Sequence, residues 1–146
     1  MIRSTKRMRL CVALLICNLV FIWGNSLMPG EISQSISNWV QEILFGTKAV
    51  AGEPSEGNGL LRKFAHFSEF TALGMCLCWL FGMLGKTWKP AFLSGVTAAC
   101  IDETIQAFVP ERAPRILDVG IDSLGVLTGI ILVLLGYSCC KKRSAL

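Results

Sequence analysis

The sequence predicts an all-α membrane protein, a four-transmembrane-helix bundle with a short amphipathic interfacial helix in the first outer loop. Three observations predict it. Of 146 residues, 53% are hydrophobic and only 16% are charged, against about 25% charged in soluble domains. Four apolar runs, at about 10–27, 64–84, 90–109 and 119–137, each approach the roughly 20 residues that a span requires. The ten acids and fourteen bases are segregated along the chain rather than mixed. With a mean hydropathy of +0.57, a soluble monomer with a water-facing shell and a disordered tail are both excluded. A net charge of +4 with no single large basic patch also argues against a nucleic-acid partner. Residues 1–146 read as one membrane domain, with no room for a separate soluble one.

The first run follows Arg3, Lys6, Arg7 and Arg9 and ends at Gly24-Asn25-Ser26. A cleaved signal peptide is the competing reading, but the run is long and no Ala-x-Ala-like site follows it. The next connection carries Glu31, Glu42, Glu53 and Glu56 against a single base, Lys48. Within it Ile32, Ile36, Trp39, Val40, Ile43 and Leu44 recur near helical spacing. This predicts an amphipathic helix on the membrane surface, with Trp39 at headgroup level. Residues 52–59, rich in glycine, read as a flexible linker into the second span.

The second and third runs are joined by the basic turn Gly85-Lys86-Thr87-Trp88-Lys89, and the fourth run leads into Lys141-Lys142-Arg143. Positive charge marks cytoplasmic loops. The chain is therefore expected in the cell membrane as a multi-pass protein with both termini cytoplasmic. Nine of the fourteen bases then lie inside, and all ten acids lie in the outer loops or the spans facing them.

The polar residues of the spans form stripes. Arg62, His66 and Glu69 stand at i, i+4 and i+7, flanked by Lys63. Asp102 and Gln106 share a face, while Glu103 points about 100° away from Asp102. Asp118, Asp122, Gly125 and Gly129 form one stripe of the fourth run. The topology places all three stripes at one depth on the outer side, and lipid does not satisfy such groups, so they should face one another. His66, Glu69, Asp102 and Glu103 are the candidate acid–base groups. Arg62, Lys63, Gln106, Arg112, Arg115, Asp118 and Asp122 are the candidate ligand-binding groups.

The bland alternative is an ion-pair network of the same residues that fixes helix register. The count is lopsided, however: with Glu111 of the outer turn included, six acids face four bases and one histidine. This surplus suggests that one or more acids are protonated, or that a cation or a cationic ligand group enters. No cofactor is expected. No metal is assigned either, since one histidine without ligand spacing does not specify zinc and a carboxylate site for Mg²⁺ or Ca²⁺ is unspecific. The seven cysteines contain no Cys-x-x-Cys pair and read as reduced apolar fillers. Gly125-x-x-x-Gly129 reads as close packing within the bundle in preference to dimerisation.

Arg62-Lys63-Phe64-Ala65-His66-Phe67-Ser68-Glu69-Phe70 resembles the second-span signature of the VanZ-like family of small membrane proteins. The segment Asp102 to Arg112 resembles its third-span signature, and Asp118 to Gly125 its fourth. Asn25-Ser26 followed by Pro29-Gly30 also fits. Two departures are visible: Phe70 where Tyr is common, and Glu111 where Gly is common before the arginine. The family is named for a member associated with low-level resistance to the glycopeptide teicoplanin, so the resemblance implies a protein of the bacterial cell envelope.

Three functions compete at this point. The first is binding of a lipid-linked envelope precursor, or modulation of glycopeptide antibiotic access, through the arginine and lysine rim suited to phosphate. The second is an intramembrane enzyme in which His66 is acid or base, Glu69 orients it, and Asp102 or Glu103 is a second acid–base group. The third is an ion- or proton-coupled carrier, which would require a homodimer. Membrane lipids are partners under all three.

Overall fold

The computed structural model describes residues 2–46, 56–112 and 115–143. Among the described residues, all regular structure is helical: α1 (Ile2–Ser26), α2 (Gly30–Phe45), α3 (Glu56–Met83), α4 (Trp88–Gln106) and α5 (Ile116–Arg143). Three helices are long and apolar enough to cross a membrane, over Thr5–Ser26, Leu60–Met83 and Ile116–Cys139. The helix α4 spans 19 residues and carries Lys89, Asp102 and Glu103, which sets it apart from those three.

The helix boundaries differ from the apolar runs for local reasons. The third run was expected to continue to residue 109, yet α4 ends at Gln106. Pro110 disfavours helical geometry in the residue before it. The chain tightens there into a turn, with Phe108 N–H bonded to Ile105 O at 3.0 Å and Val109 N–H to Gln106 O at 3.1 Å. The expected linker over 52–59 is also shorter than its composition suggests. Residues 52–55 lie outside the described residues, but α3 already begins at Glu56. Helix propagation is cooperative once the long apolar segment has nucleated, and two glycines do not halt it. Gly85, at φ 68, ends α3, and Lys86 N–H closes a bond of 2.9 Å back to Phe81 O. This is the left-handed glycine stop that only a residue without Cβ adopts cheaply.

The bundle centre is built from Ile22, Phe70, Leu73, Leu77, Cys78, Ala91, Ala98, Ala99, Val126 and Ile130. The small residues matter because they let backbones approach. A Cβ on Gly125 would stand 2.5 Å from Phe67 O of α3, and one on Gly129 would overlap Thr71 O. Gly74 of α3 and Gly95 of α4 likewise close on Val126 of α5. The Gly125-x-x-x-Gly129 pair therefore packs within the chain, against α3.

The outer surface carries large apolar side chains, while the buried residues include charged ones beside the apolar core. Val20 is 65% exposed and Leu93 is 68% exposed, whereas Asp102 is 0% and Asp122 1% exposed. In water this arrangement is backwards; in lipid it satisfies both sets of groups. The helix α2 packs on α3 and leaves Ile32, Ile36, Trp39 and Ile43 exposed.

Candidate functional site

Four helices and one turn bring polar groups to the same end of the bundle. The end of α1 supplies Asn25 and Ser26. The first half of α3 supplies Arg62, His66 and Glu69, α4 ends on Asp102, Glu103 and Gln106, and α5 begins with Asp118 and Asp122. The turn between α4 and α5 adds Arg112 and Arg115.

Asp102 is the most heavily bonded member. Its Oδ1 accepts the Ser26 hydroxyl at 2.6 Å, and its Oδ2 accepts Gln106 Nε2 at 2.8 Å. The i, i+4 spacing of Asp102 and Gln106 puts donor and acceptor on one face of α4. Gln106 Nε2 also lies 3.4 Å from Ser26 Oγ, closing a buried triangle. His66 Nδ1 stands 3.8 Å from Asp102 Oδ2 and 4.0 Å from Asp122 Oδ1. Neither distance is a hydrogen bond. Asp122 itself is buried, and neither of its carboxylate oxygens has a hydrogen-bond partner.

Glu69 and Glu103 are held separately. Asn25 Nδ2 donates to Glu69 Oε1 at 2.9 Å, while Glu69 Oε2 is buried without a partner. Glu103 is buried, and its Oε2 accepts the backbone N–H of Arg115 at 2.8 Å. The roughly 100° between Asp102 and Glu103 on the helix thus points them at different partners, yet neither faces lipid. The Arg115 side chain is exposed, and Asp118 is half-buried with one oxygen unpaired.

The cations are not consumed by these acids. Among the described residues, ion pairs within 4.0 Å involve only His66, with Asp102 and Asp122. Arg62 and Lys63 are half-buried. Arg112 Nη2 donates to Asn25 O at 3.1 Å, but its Nε and Nη1 are buried with no acceptor. Burial first, and the neighbouring Arg62 second, pull the Arg112 pKa below its ordinary value. The described polar contacts of Asp102 are therefore with neutral donors, not with arginine.

Two hollows meet at this cluster. A small cavity of about 10 Å³ is lined by Arg62, Lys63, His66, Glu103, Gln106, Asp118, Ile121 and Asp122. A groove of about 290 Å³ runs between α1, α2 and α3, with Arg62, His66, Glu69 and Arg112 at its polar end and Phe21, Ile36, Val40, Leu61 and Ala65 along its apolar walls.

Asn25 and Ser26 are site residues that spacing did not single out. The available signal was a polar pair closing an otherwise apolar run. The chain belongs to the VanZ/LLP1 family, whose model matches residues 11–137. No curated protein and no solved structure matches it.

Proposed function

We propose that this VanZ/LLP1-family chain is a multi-pass protein of the bacterial envelope whose outer-side groove binds the phosphate-bearing headgroup of a lipid-linked component. The observation that carries this reading is the Arg112 guanidinium, buried at the groove with Nε and Nη1 unpaired. A buried guanidinium with two nitrogens lacking an acceptor calls for an anionic oxygen acceptor such as a phosphate or carboxylate. Arg62 stands at the same polar end, and the apolar walls suit an acyl or prenyl chain. An effect on glycopeptide access would follow from holding such a precursor.

In this reading α4 is also a span, the third in chain order. Its 19 residues reach about 28 Å at 1.5 Å per residue, close to the ~30 Å hydrocarbon core. Its two acids turn into the bundle, where lipid does not meet them. Both termini then lie in the cytoplasm, and α2 rests on the outer interface with Trp39 toward the headgroups.

The test is lipid retention by the purified chain in nanodiscs, read by native mass spectrometry. The probes are a polyprenyl phosphate, phosphatidic acid and phosphatidylcholine. Retention of the two phosphomonoesters above phosphatidylcholine is expected, with Arg112→Gln lowering it about tenfold or more, as loss of a charged hydrogen bond implies. Equal retention of all three lipids by the wild type, or undiminished retention by Arg112→Gln, would remove the proposal. An acid–base enzyme built on His66 would instead change the mass of the bound lipid during incubation.

A further inference from the structure

We propose that His66, Asp102 and Asp122 form a binding site for one divalent first-row metal ion of the Mn²⁺ or Zn²⁺ kind. The inference is separate from the phosphate reading, which rests on Arg112 and an anionic ligand, although His66 lies at the polar end of the same groove.

The three side chains come from α3, α4 and α5 and each presents one donor atom to the others within 4.8 Å. His66 Nδ1 is 3.8 Å from one carboxylate and 4.0 Å from the other. These separations are too long for hydrogen bonds, and the two buried carboxylates also bring oxygens within 4.8 Å of each other. Donors spaced this way surround a point roughly 2.5 Å from each, and metal–nitrogen and metal–oxygen bonds of about 2.0–2.2 Å need only a few tenths of an ångström of closure.

The second observation is Asp122. Its side chain is 1% exposed, and both oxygens lack any donor. Buried carboxylates are paired, protonated or bound to metal. No arginine or lysine among the described residues reaches Asp122 within 4.0 Å. Asp102, by contrast, is fixed by Ser26 and Gln106, the outer hydrogen bonds that orient a metal-ligating carboxylate.

Charge and size agree. Two carboxylates and a neutral imidazole balance a divalent ion. Of the surrounding groups, Glu69 and Glu103 each accept a hydrogen bond of their own, and Arg62 and Asp118, of opposite charge, line the same hollow. The cavity beside His66 and Asp122 holds about 10 Å³, the room of roughly one water as a further ligand. An imidazole with two carboxylates favours Mn²⁺ or Zn²⁺ over Mg²⁺ and Ca²⁺, which prefer all-oxygen sets.

The full chain in phospholipid-free detergent, stripped with EDTA, is dialysed against Mn²⁺ or Zn²⁺ and its metal counted by mass spectrometry. One ion per chain is expected, with a metal-dependent rise in Tm. Asp122→Asn and His66→Gln should each weaken binding at least tenfold, while Glu42→Gln should not. Electron spin-echo spectroscopy of the Mn²⁺-loaded wild type should show coupling to an imidazole nitrogen, a readout independent of whether either variant folds. A monodisperse wild type that binds neither metal, folded variants that bind as tightly as it does, or bound Mn²⁺ without nitrogen coupling would each overturn the proposal. Since no phospholipid is present, failure of lipid binding leaves these outcomes unchanged.

Discussion

Replacing Gly129 by alanine should separate α3 from α5, the most extensive helix pair in the bundle. The added Cβ would overlap Thr71 O and stand 2.8 Å from Met75 N. Both obstacles are backbone, so no side chain rotates away to make room. Restoring van der Waals contact moves the helices apart locally by about 1 Å, and a gap of ~0.5–1 Å already forfeits a quarter to a half of each dispersion contact. Overpacking of this kind costs about 1–3 kcal/mol, and rigid obstacles place Gly129→Ala in the upper half of that range. Gly136 provides the control on the same helix, because nothing lies within 4 Å of its added Cβ. There alanine brings only its better helix propensity, worth up to about 1 kcal/mol. The two variants should therefore differ by about 2–3 kcal/mol, or roughly 30- to 150-fold in unfolding constant. Reversible unfolding in bicelles, followed by steric trapping or by SDS titration, measures this directly. Equal stability of Gly129→Ala and Gly136→Ala would refute the close-packing argument. If the pair instead joined two copies of the chain, Gly129→Ala would shift a monomer–dimer equilibrium and leave unfolding of the monomer untouched.

Ser26→Ala removes a 2.6 Å hydrogen bond to the buried Asp102 carboxylate; a loss of about 1.5–3 kcal/mol is expected, and a loss below about 0.5 kcal/mol would show that Asp102 does not depend on α1. Glu111 sits at φ 63, where a residue with a Cβ costs about 1–2 kcal/mol. Glu111→Gly should gain most of that, less the exposed bond from Glu31 N–H to Glu111 Oε2 at 3.2 Å, and a lowered Tm would count against it. Gly30→Ala should act in the opposite direction, since its Cβ would stand 2.8 Å from Glu111 O; an unchanged Tm would show that α2 is not seated on this turn. Reporter fusions at Lys86 should be active in the cytoplasm and fusions at Lys48 outside it; a cytoplasmic Lys48 would place the groove on the wrong side of the membrane.

Hydropathy reads the surface a membrane helix shows to lipid, and that decides what was legible here. Leu60–Met83 and Ile116–Cys139 are unmistakable as helices because their exposed residues are apolar. The core is not separable by the same signal, since Ile22, Phe70, Leu73 and Ile130 within it are as apolar as the exposed Val20 and Leu93, and the small Ala91, Ala98, Gly125 and Gly129 between them carry little hydropathy. The polar exceptions carry the information instead. His66, Asp102 and Asp122 stand out because lipid does not accept them, and helical periodicity assigns each to a face. Periodicity ends there: it does not say that His66 Nδ1 lies 4.0 Å from Asp122 or that Asn25 holds Glu69. Those contacts depend on how far helices slide along one another, and here the slide is set by glycines against backbone. Nor does it reveal that, among the described residues, no arginine side chain comes within 4.0 Å of a carboxylate. Glu111 shows the same limit from the other direction. As a departure from the family pattern it looked like an extra acid at the site, but its backbone occupies the left-handed geometry a glycine would take freely, and its carboxylate accepts Glu31 N–H in the first turn of α2. A charge there offsets the positive end of the helix dipole, so the residue ties α2 to the α4–α5 turn at the edge of the groove rather than adding to the buried cluster.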